Sequence, residues 1–144
     1  MIFTAVADVF KLDLLQQLSQ DQFRMALYTD RANLGPDTIA YTPTGEVIGP
    51  GYTAGGIVMQ GFRTLMDALV IPDQPPRIVA IVDWDDPMWP YATITARGAL
   101  IYNYSKGNKA VGVIDLGKNY TSTNGSFMVT LPEPTAKTAL IRIG

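Results

Sequence analysis

The chain of 144 residues contains no cysteine and no histidine. Without cysteine there is no disulfide framework and no thiolate metal site. Without histidine the chain lacks both the commonest general base and the commonest metal ligand of proteins. These absences exclude a Ser-His-Asp triad, a Cys-His dyad and a histidine-ligated zinc site within one chain.

Charge is also scarce. Only 17% of the residues are charged and 47% are apolar, whereas an average globular domain carries about 25% charged residues. The net charge is −2 and Lys and Arg occur singly, so the sequence has no basic patch of the kind that binds nucleic acid. Because protein interfaces are poor in charge, this composition favours a protein that works within an assembly.

Long apolar runs are missing as well. No stretch approaches the roughly 18 consecutive apolar residues of a transmembrane helix. The N-terminal sequence "MIFTAVADVFKLD" has no basic region before its apolar residues, so we expect no signal peptide. These features predict a chain made in a cytoplasm, with no membrane partner.

Helical periodicity occurs near the N-terminus. Val6, Phe10, Leu14 and Leu18 recur every four residues and form one apolar stripe on a helical wheel. This spacing predicts a helix over about residues 5–18, which we expect to pack under the rest of the chain more readily than against a partner.

The rest of the chain has the pattern of β-structure. Alternation of Phe23, Met25 and Leu27 with other residues predicts a strand with one buried face. Seven or eight such strands, separated by turn signals, predict a mainly β fold, an antiparallel β-sandwich of the jelly-roll or Ig-like type over residues 21–144. With the helical segment 1–20, the chain is expected to form a single domain, 1–144.

Three segments within this region need separate interpretation. Residues 63–77 fit a short helical turn or a strand. Gly98 is a candidate bulge. The polar segment "KNYTSTNG", residues 118–125, is expected to be a loop, because Asn-Gly is the strongest short hairpin signal.

The glycine-rich segment "GPGYTAGG", residues 49–56, resembles a phosphate-binding loop only in composition. A Walker loop needs a Lys-Ser/Thr pair that opens a helix, and the dinucleotide motif needs a strand before it and a helix after it. The strand-like "IVMQGF" follows instead. We therefore expect a turn in which Gly51 and Gly55 adopt positive φ and Tyr52 anchors the segment.

The segment "VDWDDPMWP" brings together three carboxylates, Asp83, Asp85 and Asp86, which could bind a divalent cation. Asp83 could also form the carboxylate pair of a glycosidase with Glu46 or Asp115. An EF-hand reading fails because Met88 and Ile94 occupy its sixth and twelfth positions. A solvated turn is the favoured interpretation, and a metal-dependent enzyme or a glycosidase is the alternative.

Aromatic residues flank these carboxylates. Trp84, Trp89 and Tyr91 could stack on sugar rings in a carbohydrate-binding module, or could belong to the core or an interface. The residues expected at an interface are Tyr52, Trp84, Asp85, Asp86, Met88 and Trp89.

The order of several segments resembles a known group of proteins. The succession "FKLDLLQQLSQ", "FRMALYT", "AYTPTGEVIGPGYTAGG", "ATITARGALIYN", "VIDLG" and "TSTNGSFMVTL" is similar to small tailed-bacteriophage and prophage proteins encoded among head and tail morphogenesis genes. The resemblance covers about residues 10–131. The stretch from Leu65 to Pro76 departs from it.

This resemblance implies a non-enzymatic structural protein of the virion, with no catalytic residues and no cofactor. Within the particle it favours a capsid decoration or cement protein, a homo-oligomer whose partners are the major capsid protein or other virion proteins. A head–tail connector or a tail component is the alternative location.

Overall fold

The protein is described here by a computed structural model, which covers residue 2 and residues 4–144. It is mainly β, with two antiparallel sheets and one N-terminal helix, as the sequence predicts. The helix α1 spans Asp8–Gln16. The strands are β1 (Phe23–Tyr28), β2 (Ile57–Val58), β3 (Arg63–Leu69), β4 (Arg77–Asp83), β5 (Met88–Asn103), β6 (Lys109–Met128) and β7 (Ile141–Ile143).

The chain divides into two compact units. The first unit comprises Met1–Gln20, Gly61–Asp85 and Leu131–Gly144, and the second comprises Asp21–Gln60 and Asp86–Thr130. Each sheet belongs to one unit, and the expected single domain stays a prediction.

The first unit contains α1 and a sheet with the strand order β3-β4-β7. A 3-10 turn, Gln17–Gln20, extends the helix, so the predicted helix exists but begins later than expected. The ambiguous segment 63–77 contains a strand, β3, which pairs along its whole length with β4. Pro72, Pro75 and Pro76 follow β3 in the connection to β4, where no strand hydrogen bond is required of them.

The apolar stripe of α1 is largely exposed, which differs from the expected burial. Val6, Phe10 and Leu14 keep 59%, 53% and 39% of their surface in contact with solvent, whereas Leu15 is buried. On another face of the helix, the Nζ of Lys11 donates to the carbonyl oxygen of Ile78 in β4 at 3.0 Å. The helix face that carries Lys11 and Leu15 therefore lies towards β4, and the predicted stripe does not.

The second unit contains a sheet with the strand order β2-β1-β5-β6. β1 is confirmed as a strand, but the prediction of a single buried face is wrong: Ala26 and Tyr28 are as fully buried as Met25 and Leu27. The reason is a second apolar cluster, in which Ala26 and Tyr28 pack with residues of β5, Leu100 and Tyr102, under the segment that follows β1.

The long antiparallel pair of β5 and β6 dominates the second unit. The segment 118–125, predicted to be a loop, lies within β6 and pairs with β5. Asn124, at φ 44°, occupies a register shift opposite Thr93, so the Asn-Gly pair forms a bulge in the strand instead of a hairpin turn. The predicted irregularity at Gly98 is confirmed by a register shift between Ala96 and Gly98.

Candidate interaction surface

The glycine-rich segment is a tightly held connection between the strands, as predicted. Gly51 and Gly55 have φ values of 84° and 94°. Gly56 also has positive φ, and a Cβ atom added there would lie 1.7 Å from the carbonyl oxygen of Met25. Gly56 therefore allows the connection to approach the backbone of β1 more closely than any side chain permits.

A buried carboxylate, Glu46, closes this connection. Its oxygens accept hydrogen bonds from the Tyr41 hydroxyl at 2.7 Å, the Tyr52 hydroxyl at 2.5 Å and the Gly55 amide at 2.9 Å. The side chain is only 8% exposed. Sequence reasoning did not find this cluster, because its donors lie five, six and nine residues from Glu46 and follow no periodicity.

The expected anchor role of Tyr52 is confirmed in atomic detail. The Tyr52 hydroxyl, which donates to Glu46, also accepts the amide of Leu27 in β1 at 2.9 Å. The Tyr102 hydroxyl donates to the carbonyl oxygen of Gly55 at 2.6 Å. These bonds connect the glycine segment to β1 through Tyr52 and to β5 through Gly55.

The tyrosine hydroxyls of this cluster hold their protons strongly. Burial raises the pKa of Tyr28 to about 12, and its hydroxyl donates a hydrogen bond to the Thr42 carbonyl oxygen at 2.7 Å. Burial, and then the hydrogen bond to Glu46, raise the pKa of Tyr41 and of Tyr52 above the ordinary range. The hydroxyls of Tyr41 and Tyr52 therefore stay protonated and donate to Glu46, so that the cluster acts as a structural lock.

Two aspartates of the acidic segment bind the side chain of Arg63. Arg63 contacts Asp83 at 2.6 Å and Asp85 at 2.9 Å, and it also donates to the Trp84 carbonyl. Its hydrogen bond to Asp85 raises the pKa of Arg63. In residues 2 and 4–144 no group of three or more His, Cys, Asp or Glu side chains could hold a metal ion. The guanidinium therefore stands where a divalent cation would be needed, and the metal-dependent alternative has no ligand set there.

The two tryptophans are core residues. Trp84 and Trp89 are 3% and 2% exposed, so neither ring face is open to a sugar, whereas Tyr91 is 78% exposed. The Trp89 ring packs against Tyr52 and Phe127, with centroids 6.1 and 6.4 Å apart. The sugar-stacking platform expected from these aromatics is not assembled.

The predicted interface residues differ in accessibility. Asp85, Asp86 and Met88 are exposed, Tyr52 is half-buried, and the two tryptophans are buried. A role for these six residues in an interface stays a prediction.

One surface of the β5–β6 pair has the properties of an interface. We define the outer face by six residues: Met88, Thr93, Thr95, Thr121, Thr123 and Met128. All six are exposed. Met88 is the register partner of Met128, and the hydroxyls of Thr95 and Thr121 lie 2.8 Å apart across the strands.

Charge is absent from both strand segments that build the outer face. Residues 88–96 and 119–132 contain no Asp, Glu, Lys or Arg. The inward residues of the same segments, Trp89, Ile94 and Phe127, are buried, so the outer face is the solvent side of a firmly packed pair of strands. Exposed β-surfaces usually carry charge, and a surface without it resembles the centre of a protein interface.

Tyr91 lies beside the outer face in an unusual conformation. It occupies the register shift between Trp89 and Ala92 and has φ 51°, which is uncommon for a bulky residue. The conformation costs about 1–2 kcal/mol and leaves a large ring almost fully exposed. Strained residues of this kind cluster at functional sites.

Comparison of the chain with known protein families, with curated protein sequences and with solved structures finds no match. Within the described part of the chain, no helix has the length and apolar character needed to cross a membrane.

Proposed function

We propose that this chain is a non-enzymatic structural protein of a tailed-bacteriophage virion, and specifically a capsid decoration or cement protein that binds the shell of the major capsid protein. The observation that carries the proposal is the outer face. It is exposed, carries no charge and consists of methionine and threonine side chains, which suits contacts between neighbouring copies in an assembly better than a reaction.

Other features agree with this role. The sequence resembles small phage and prophage morphogenesis proteins over about residues 10–131. The buried carboxylates, Glu46 and Asp83, are both engaged by donors of the chain itself, so they hold the fold and are not presented to a substrate. In a shell, many copies bind side by side, and weak contacts of each copy add up to firm attachment.

The proposal includes the finer architecture expected from the sequence, a β-sandwich of the jelly-roll or Ig-like type. Two antiparallel sheets and little helix support it. It also includes oligomerisation within the particle.

Mass spectrometry of purified phage particles tests the proposed role. We expect peptides of this chain in intact virions, at a copy number that follows the shell. Absence of the chain from intact particles would refute the proposal.

A head–tail connector or tail component is the alternative location within the same class. The described surfaces suit either position, and copy number separates them. Hundreds of copies per particle indicate the shell, whereas six or twelve indicate the neck or the tail.

A further inference from the structure

We infer that the occupant of the outer face is a second copy of this chain, packed face to face about a two-fold axis that runs along the strands. The inference deepens the proposed assembly role and rests on it for its biological meaning. The residues that carry it can nevertheless be tested on the purified protein alone.

Self-complementarity is the first step. Around a two-fold axis each residue near the axis meets its own copy, so a charged surface would bring like charges together. The outer face avoids this cost, since residues 88–96 and 119–132 carry no charge. The nearest charged residues in sequence lie just beyond these segments and are Asp86, Arg97, Lys118 and Glu133.

The side chains of the outer face can also satisfy one another. Threonine hydroxyls both donate and accept, and the pair of Thr95 and Thr121 already forms such a bond within one copy. Met88 and Met128 lie together at the other end and are 46% and 57% exposed. With the axis along the strands, the methionine end of one copy covers the methionine end of the other, and threonines meet threonines.

Tyr91 supplies a third element. It follows Met88 by three residues in β5, and its side chain is 78% exposed at a backbone φ of 51°. In the two-fold arrangement the ring covers apolar surface of the second copy, and tyrosine is among the residues enriched in interfaces.

The size of the face predicts weak association. Nine residues at about 3.3 Å each give a length of roughly 30 Å, and two strands with their side chains give a width of roughly 10 Å. The resulting area of about 300 Å² per copy is below the ~800 Å² of a standard interface. We therefore expect a dissociation constant between about 10 μM and 1 mM, which suits copies that are held close together on a shell.

Sedimentation velocity over a wide concentration range measures this association. Thr123 is the position to change, because it is exposed and its side chain holds no described contact. Thr123→Lys should weaken self-association at least about tenfold by placing like charges across the axis. Thr123→Glu should do the same. An equimolar mixture of the two variants should recover association to the wild-type level or better.

Thr44→Lys is the matched control, because Thr44 is equally exposed but lies in the turn before Glu46. It should associate as the wild type does. The mixture protects the test against misfolding, since only folded variants with facing charges can restore each other.

Three results would overturn the inference: a wild type that stays monomeric up to about 1 mM, equal behaviour of the Thr123 and Thr44 variants, or a mixture without recovery. A monomeric protein whose Thr123→Lys variant alone is lost from particles would assign the face to another virion protein. Absence of the chain from virions would remove the phage role while leaving measured self-association intact.

Discussion

Two buried carboxylates of this protein are stabilised in different ways. Glu46, in the second unit, accepts hydrogen bonds from two tyrosine hydroxyls and one backbone amide. Asp83, in the first unit, is held by the guanidinium of Arg63, which also binds the exposed Asp85. The first site uses uncharged donors, and the second uses a cation.

The difference shows how each unit depends on its polar groups. The donors of Glu46 are fixed by the fold, and two of them belong to the glycine-rich connection, so loss of the carboxylate leaves several polar groups without a partner. Arg63 is about half exposed and retains water and Asp85 when Asp83 is lost. We therefore expect loss of the Glu46 carboxylate to lower the free energy of unfolding more than loss of the Asp83 carboxylate.

Gly56→Ala should lower the stability of the second unit, which contains the Glu46 site, more than any other substitution considered. The added Cβ would lie 1.7 Å from the Met25 carbonyl oxygen and 2.5 Å from its carbon, in the backbone of β1. We expect a loss of more than about 4 kcal/mol in the free energy of unfolding, or no soluble folded protein, measured by urea denaturation.

Gly107→Ala is the control for this change. Gly107 has a similar φ of 70°, but an added Cβ meets nothing within 4 Å. Only the cost of the left-handed backbone, about 1–2 kcal/mol, should appear. Equal losses in the two variants would show that the close approach at Gly56 is not the cause.

Glu46→Ala should cost about 3 kcal/mol, because Tyr41, Tyr52 and the Gly55 amide lose their common acceptor in a buried place. Glu133→Ala removes an exposed glutamate and should change stability by less than about 0.5 kcal/mol. Urea denaturation of both variants makes the comparison. A loss at Glu46 no larger than at Glu133 would contradict the proposed lock.

Alkaline pH should lower the stability that the buried tyrosines near Glu46 contribute. The pKa of Tyr28 is raised to about 12 and the pKa of Tyr52 is also raised, so the native state keeps protons that the unfolded chain releases near pH 10. Since the unfolded state then binds fewer protons, the stability that these tyrosines contribute is constant below about pH 10 and falls as pH rises through the native values.

The measurement is urea denaturation between pH 8 and the alkaline limit, in wild type, Tyr52→Phe and Arg63→Met. Tyr52→Phe should show a lower stability at neutral pH and a shallower alkaline fall. Arg63→Met should keep the full fall, because no tyrosine contacts that site through a described hydrogen bond. If the free energy of unfolding of Tyr52→Phe falls with pH as steeply as that of the wild type, the alkaline loss does not arise from the Glu46 cluster.

Asp83→Asn should have the smallest effect, about 1 kcal/mol, because the half-exposed Arg63 keeps Asp85 and water as partners. Asparagine keeps the shape of the side chain, so the loss reports mainly on charge. High salt should shrink the difference between wild type and this variant, whereas the loss in Glu46→Ala should not depend on salt. A salt-independent loss at Asp83 would indicate that charge is not its main contribution.

Structural features that depend on residues close together in the sequence were predicted correctly. The N-terminal helix, the strands β1, β4 and β5, and the positive φ of Gly51 and Gly55 follow from periodicity and turn chemistry. The polar segment 118–125 was misassigned, because polarity indicates exposure and not the absence of a strand. Pairing with β5 supplies its backbone hydrogen bonds, and this pairing is not visible in the segment itself.

The candidate sites were predicted less well than the fold. Tyr52 is confirmed as the anchor of its connection, but Glu46 was considered only as a glycosidase partner of Asp83 and not as the acceptor of Tyr52. Met88 was expected at an interface and is exposed, whereas the tryptophans expected with it are buried. Aromatic residues suit cores and interfaces equally, so composition alone does not separate the two.

The sequence by itself determined that this chain forms a mainly β protein with one helix, without histidine or cysteine chemistry and with little charge, because these properties depend on residue types and local spacing. Tertiary structure alone decided that Arg63 joins two aspartates, that Glu46 gathers its three donors, and that two uncharged segments far apart in sequence form one outer face. Each of these depends on which strands pair and in which register, and register is set by the packing of the whole sheet.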